Sequence, residues 1–176
     1  SNYLAAPGSG LRFDEIMARN ESAVTNSAGR VEDWLEIHNP TTATLTLTGY
    51  SLSVGKPEAG EWSFPAGTTL AAGGRLVIWA GTNATLPGLI SLGRTLRDGG
   101  TTLSLFDDRA RLLDSVTFGP QQANTAIGRT DSGWQLLTAP TPGAPNAAGA
   151  ALGNPALVRL NEWLADGGTN SVDWLE

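Results

Sequence analysis

The chain has 176 residues, 40% of them hydrophobic, with 22 Gly, 10 Pro and no Cys; this suffices for one sizeable core with chain left over, and it removes disulfides and thiolate metal sites. A formal net charge of −6 and a pI near 4.7 leave no basic stripe to displace counterions from a phosphate backbone, so nucleic acid is not the expected partner. No run of apolar residues is long enough to cross a bilayer as a helix, so no membrane span is expected.

After a loose opening, Leu11–Met17 reads as a first strand, and the polar, turn-rich stretch from Asn20 to Gly29 as a loop. Val31–His38 is a second strand, stopped at Asn39-Pro40 because proline cannot donate to a ladder and restricts the residue before it. Thr44–Thr48 alternates with the period of a half-buried strand. Gly49–Val54 continues that pattern past the glycine, which predicts a bulge there. Glu61–Phe64 is a short strand ended by Pro65, and Thr69-Leu70 follows. Arg75–Ala80 is almost continuously apolar and is expected to be the most buried strand. Gly88–Leu96 is a weaker, glycine-broken region. Thr101–Phe106 and Arg111–Phe118 form a hairpin through a turn at Asp107-Asp108-Arg109. Ile127–Arg129 and Trp134–Leu137 complete the set. Strands at this spacing, separated by Gly, Pro, Asn and Asp, predict an all-β, immunoglobulin-like antiparallel β-sandwich.

The chain also provides an internal comparison. Leu11-Arg12-Phe13-Asp14-Glu15-Ile16-Met17-Ala18 is echoed by Val158-Arg159-Leu160-Asn161-Glu162-Trp163-Leu164-Ala165, and Asp33-Trp34-Leu35-Glu36 returns as Asp173-Trp174-Leu175-Glu176. Two matched segments in the same order read as a tandem array. The expected organisation is therefore an N-terminal extension over 1–10, a sandwich over 11–146, an Ala/Gly/Pro linker over 147–157, and the truncated start of a second copy over 158–176. That last stretch sets Arg159 against Glu162, Asp166, Asp173 and Glu176. A pair of first strands alone cannot bury its apolar face, so strand exchange with a neighbouring molecule through residues 158–176 is an expectation.

Several ordered segments resemble the lamin tail domain family. They are Phe13–Met17, Asp33–Pro40, Leu47–Leu52, Trp62–Leu70, Gly74–Trp79, Asp114–Gly119, Gly128-Arg129, Trp134 and Thr141–Asn146. The resemblance implies an immunoglobulin-like sandwich. Together with the Arg-rich, Lys-poor and Cys-free composition, it also implies a bacterial member in a larger secreted or cell-envelope protein. It gives structural roles to Asp33, Asn39, Gly49, Trp79, Gly128, Arg129, Pro142, Gly143 and Asn146. No heptad pattern precedes the domain, so the nuclear role of other members does not carry over.

Glu15 and Glu36, repeated as Glu162 and Glu176, pose the sharpest chemical question. A pair of carboxylates can hydrolyse glycosides or hold a cation; the favoured reading is that each accepts hydrogen bonds from backbone or arginine and fixes register. Arg129 is expected to bond one of these two carboxylates. Trp34 and Trp62 are candidate stacking surfaces, whereas Trp79 is assigned to the core. Asp33 and Asp107 read as turn residues, because the spacing of a calcium loop is missing. His38 is the only histidine, too little for a zinc site or a catalytic triad. No cofactor, metal or catalytic residue is expected. The reading that follows is a non-catalytic module binding a protein partner or a neighbouring repeat. Its rivals are a carbohydrate- or calcium-dependent adhesion module and the accessory domain of a hydrolase.

Overall fold

The computed structural model describes residues 10–82 and 87–153 in full, together with the backbone of 163–164 and 174–175. The described residues are all strand and turn. Strands β1 (Arg12–Met17), β2 (Asp33–His38), β7 (Arg75–Ala80), β10 (Ile127–Thr130) and β11 (Gly133–Leu136) form one antiparallel sheet in the order β11-β10-β1-β2-β7. A second sheet runs β5 (Trp62–Ser63), β4 (Ser51–Val54), β8 (Thr101–Phe106), β9 (Leu112–Phe118). A short ladder joins β3 (Leu45–Thr46) to β6 (Thr69–Leu70). The inner faces of the two large sheets meet in one core that includes Phe13, Ile16, Leu35, Ile37, Ile78, Leu103, Leu105 and Val116. Each side chain of this size contributes about 1.5–3 kcal/mol when fully buried rather than exposed. The antiparallel sandwich expected from strand spacing is thus the fold.

Two local devices shape the first sheet. The register between β1 and β2 slips between Phe13 and Glu15, so that Phe13 faces Ile37 and Glu15 faces Glu36. Asp14 is the extra residue of this bulge. Its consequence is that Asp14 and Glu15, adjacent in sequence, both lie away from the core. Asp14 bonds Arg75 and Glu15 bonds Thr141. The second device is a cover. Met17, Trp34, Trp79, Ala126 and Leu137 form a separate apolar cluster, with Val24, Leu89 and Ala147 packed against it from the loops.

Three expectations change. Gly49 is not a bulge: Tyr50 N donates to Leu47 O at 3.0 Å and Gly49 has φ of +85°, a turn that passes the chain from the small ladder into the second sheet. A side chain there would also press on Asp108. Strand β7 is not the most buried strand but an edge of its sheet. Its first three residues are half-exposed, and its apolar run reflects a strand covered on both faces only towards Ala80. β1 and β2 hold the centre. Finally, the alanine- and glycine-rich stretch expected as a linker from residue 147 stays on the sandwich through Ala150. Thr138 N donates to Ala148 O and Ala150 N to Leu136 O.

Candidate functional site

The polar half of the first sheet's outer face gathers most of the buried charge. Glu15 and Glu36 are cross-strand neighbours on β1 and β2, and both are fully buried. What covers them is the segment after β11. Pro142 and Gly143 form a turn in which Ala144 N donates to Thr141 O at 3.0 Å and Gly143 has φ of +81°. Proline at the second position and glycine at the third suit a type II turn. The turn aims its polar groups inward. Thr141 donates its backbone N–H (2.9 Å) and its hydroxyl (2.8 Å) to the Glu15 carboxylate, and Gly143 donates its N–H to Glu36 Oε2.

Asn146 completes the closure. Its Nδ2 donates to Asp14 O on β1 and Arg129 O on β10, both at 2.9 Å, bridging two strands. This bridge requires a glycine beneath it, because a Cβ on Gly128 would lie 2.8 Å from Asn146 Nδ2 and 2.7 Å from Leu137 Cδ1. The short motif Gly128-Arg129 and the distant Asn146 are therefore one structural unit.

Burial dominates the ionisation here. Loss of water pushes the Glu36 carboxyl up to about 8, with the neighbouring Asp14 and Glu15 raising it further and the Gly143 N–H opposing them. Glu15 is raised for the same first reason, and the Thr141 bonds oppose it. Burial, aided by the Arg75 charge, lowers His38. Arg75 Nε lies 2.8 Å from Asp14 Oδ2 and 3.5 Å from Glu36 Oε1.

The chemistry of a paired-carboxylate site is thus half present. Two carboxyls stand side by side with raised pKa values, but both are fully buried, the Glu15 oxygens and Glu36 Oε2 accept from the chain's own turn, and Glu36 Oε1 has no hydrogen-bond partner and lies 3.5 Å from Arg75 Nε. Arg129 does not bond either one. Its Nη2 pairs with Asp114 Oδ2 at 2.7 Å and its Nε donates to Phe13 O at 2.8 Å, which ties the first sheet to β9 of the second. The same Asp114 oxygen accepts Phe13 N.

Of the tryptophans, Trp34 is completely buried in the outer apolar cluster, so its ring offers no stacking surface. Trp62 is half-buried; it donates Nε1–H to Ser91 O and meets Phe64 edge-on at 5.0 Å. Trp79 lies in the outer cluster with Trp34, rather than in the central core. Trp134 packs in the central core, with the Arg129 guanidinium 5.2 Å from its ring. Asp33 accepts Asn20 N at 3.0 Å and fixes the loop entering β2. Asn39 is a turn hub: its Nδ2 donates to the carbonyls of Ala43, Leu70 and Ala71, and its Oδ1 accepts from Thr41. Asp107 accepts the N–H groups of Arg109 and Arg111 in the β8–β9 hairpin. No group of three or more metal-ligating side chains occurs among the described residues.

Sequence reasoning did not single out Asp14, Arg75, Asp114 or Thr141. Their partners lie 15 to 126 positions away, and no local spacing announces such pairs.

An immunoglobulin-like sandwich closed by a C-terminal turn over two buried carboxylates is the class of domain these features define. The family model of the Lamin Tail Domain matches residues 5–120, and the chain belongs to that family. The covering turn lies beyond the matched span. No curated protein matches the chain.

Proposed function

We propose that the chain is a non-catalytic interaction module of a larger extracellular or cell-envelope protein, built from tandem lamin-tail-like units that associate with a protein partner or with one another. The observation that carries this reading is a repeated register. In the first unit Ile16 faces Leu35 and Met17 faces Trp34. In the second, β12 (Trp163–Leu164) pairs antiparallel with β13 (Trp174–Leu175), so that Trp163 faces Leu175 and Leu164 faces Trp174. These are the equivalent positions of the sequence repeat, paired in the same way. A unit that repeats down to its strand register is suited to building an array.

The hydrolytic reading has little support, because Glu15 and Glu36 serve the closing turn. A carbohydrate-binding reading would need exposed rings, and Trp62 alone of the candidate pair keeps partial exposure.

The test is the solution mass of the full chain against a chain ending at Gly153, by light scattering over a concentration series. Association of the longer chain alone supports coupling through the second unit. If both are monomeric at all concentrations, self-association is abandoned and the module's partner must be a different protein.

A further inference from the structure

The two large sheets end in four edge strands, and the chain protects three of them itself. On β7, Trp79 N donates to Ile90 O and Leu92 N donates to Trp79 O, both at 2.8 Å. β5 is two residues long, and its Trp62 indole donates to Ser91 O. Along β11, Ala150 N donates to Leu136 O at 2.6 Å, and Leu137 just beyond it faces Gly149. β9 differs. With seven residues it is the longest strand of the described chain; β8 lies on one side of it, and no described strand pairs with the other. A long unpaired edge is a template for another strand, which is why edges usually carry lysine, proline or a cover.

The alternation of hydrogen bonds fixes which groups face that edge. Gly55 N donates to Thr102 O, so Thr102 and Ser104 turn their backbone groups toward β4, and Leu103 and Leu105 toward β9. Leu103 faces Val116 and Leu105 faces Asp114. Val116 and Asp114 therefore spend their N–H and C=O groups on β8, and those of Ser115 and Thr117 point outward. Both residues are accessible: Ser115 is half-exposed and Thr117 exposed. The only charge on the strand, Asp114, is buried and pairs inward with Arg129. Leu112, 49% exposed, is one of three large apolar side chains that the described surface leaves open.

We propose that β9 is the contact between two copies of this chain, paired antiparallel about a two-fold axis at Val116. Ser115 of one copy then faces Thr117 of the other, and each such pair exchanges both its N–H···O bonds. The inference rests on the self-association reading above and names its surface. A second copy is favoured because the edge is complementary to itself. This register sets Leu112 against Pro120 and Arg111 against Gln121, so no like charges meet and the open leucine gains an apolar neighbour. Hydroxyl against hydroxyl is already the pattern of this sheet. Thr102 Oγ1 lies 2.8 Å from Thr117 Oγ1, and Ser104 Oγ lies 3.3 Å from Ser115 Oγ; Ser115 against Thr117 extends those rows across the axis. The contact is narrow, so the association is weak and depends on concentration.

The experiment is light scattering up to about millimolar protein, for the full chain and for the chain ending at Gly153. The expected result is a rise from monomer toward dimer in both. Thr117→Pro deletes an outward N–H without touching a bond to β8, a change that edge strands accept. It should weaken association by about tenfold or more, the scale of two lost backbone hydrogen bonds. Thr117→Lys keeps the N–H but sets two ammonium groups near the axis, and should weaken association as well. It decides the matter should Thr117→Pro melt well below the parent. In the parent, the Ser115 and Thr117 amides should exchange faster on dilution. Unchanged association in Thr117→Lys overturns the proposal. So does slow exchange of these amides in a monomer, which would place another segment of the same chain on the edge. Association of the longer chain alone also overturns it, and leaves self-association standing through residues beyond 153. Monomers at every concentration overturn both readings.

Discussion

At the scale of single residues, the buried carboxyls of β1 and β2 set the pH dependence. Folded Glu36 keeps its proton to about pH 8, whereas the ordinary value is 4.5. Between those values the folded chain holds more protons than the unfolded one, so stability falls as pH rises through that window. Glu15 acts in the same direction. Glu36→Gln keeps an acceptor for Gly143 and removes the charge. Its urea stability should decline less than the parent's over the same window, with the variant relatively most favoured at the alkaline end. Parallel curves would show that Glu36 is not the titrating group. A second residue-scale prediction concerns Gly128. Adding a methyl group forces Asn146 and Leu137 aside, so Gly128→Ala should cost about 1–3 kcal/mol, the usual range for overpacking. Asn146→Ala strips the bridging donor from two carbonyls and should cost about as much. The double variant should cost less than the two together, because both remove one bridge; additive losses in urea unfolding would count against it.

At the scale of elements, the strands were legible and the cover was not. β1, β2, β8 and β9 declare themselves through alternation and through turns such as Asn39-Pro40 and Asp107–Arg109, whose determinants are local. The placement of β7 at an edge was not visible, because a run like Leu76-Val77-Ile78-Trp79 looks the same whether its cover is a neighbouring strand or a loop. Residues 147–150 misled for a related reason. Alanine and glycine carry no hydrophobic period, so the stretch reads as a linker, yet Ala148 and Ala150 bond Thr138 and Leu136; the turn before it was placed in the sandwich, but not its bonds, which run from the N–H groups of Thr141 and Gly143 to carboxylates more than 100 positions earlier. Glu15 and Glu36 could be singled out from their repetition, but their partners could not. If the turn is held by these bonds, the amides of Thr141 and Gly143 should exchange with solvent far more slowly than those of an exposed loop. In Glu15→Ala, Thr141 should lose its protection while the central β8–β9 amides keep theirs. Equal loss at every site would mean that the turn opens only with the whole sandwich.

At the scale of the whole molecule, the hydrogen-bonded sandwich runs to Ala150, well past the family match that ends at residue 120. The chain beyond β11 does two jobs at once. It satisfies the carboxyls on the polar half of the sheet, and it helps to cover the apolar half, where Leu137 and Ala147 pack against Trp34 and Trp79. Two truncations separate this closure from the chain that follows it. A chain ending at Gly153 keeps every bond described for the sandwich and should unfold with the same urea midpoint and slope as the sandwich in the full chain. A chain ending at Thr138 loses the Thr141, Gly143 and Asn146 donors, leaves two carboxyls open to ionise against a partly apolar surface, and exposes the outer cluster. Its loss should exceed the roughly 1–3 kcal/mol of a single orphaned buried polar group. A chain ending at Thr138 that proved as stable as one ending at Gly153 would mean that the covering turn contributes nothing to the fold, and that Glu15 and Glu36 are buried by the sheet alone.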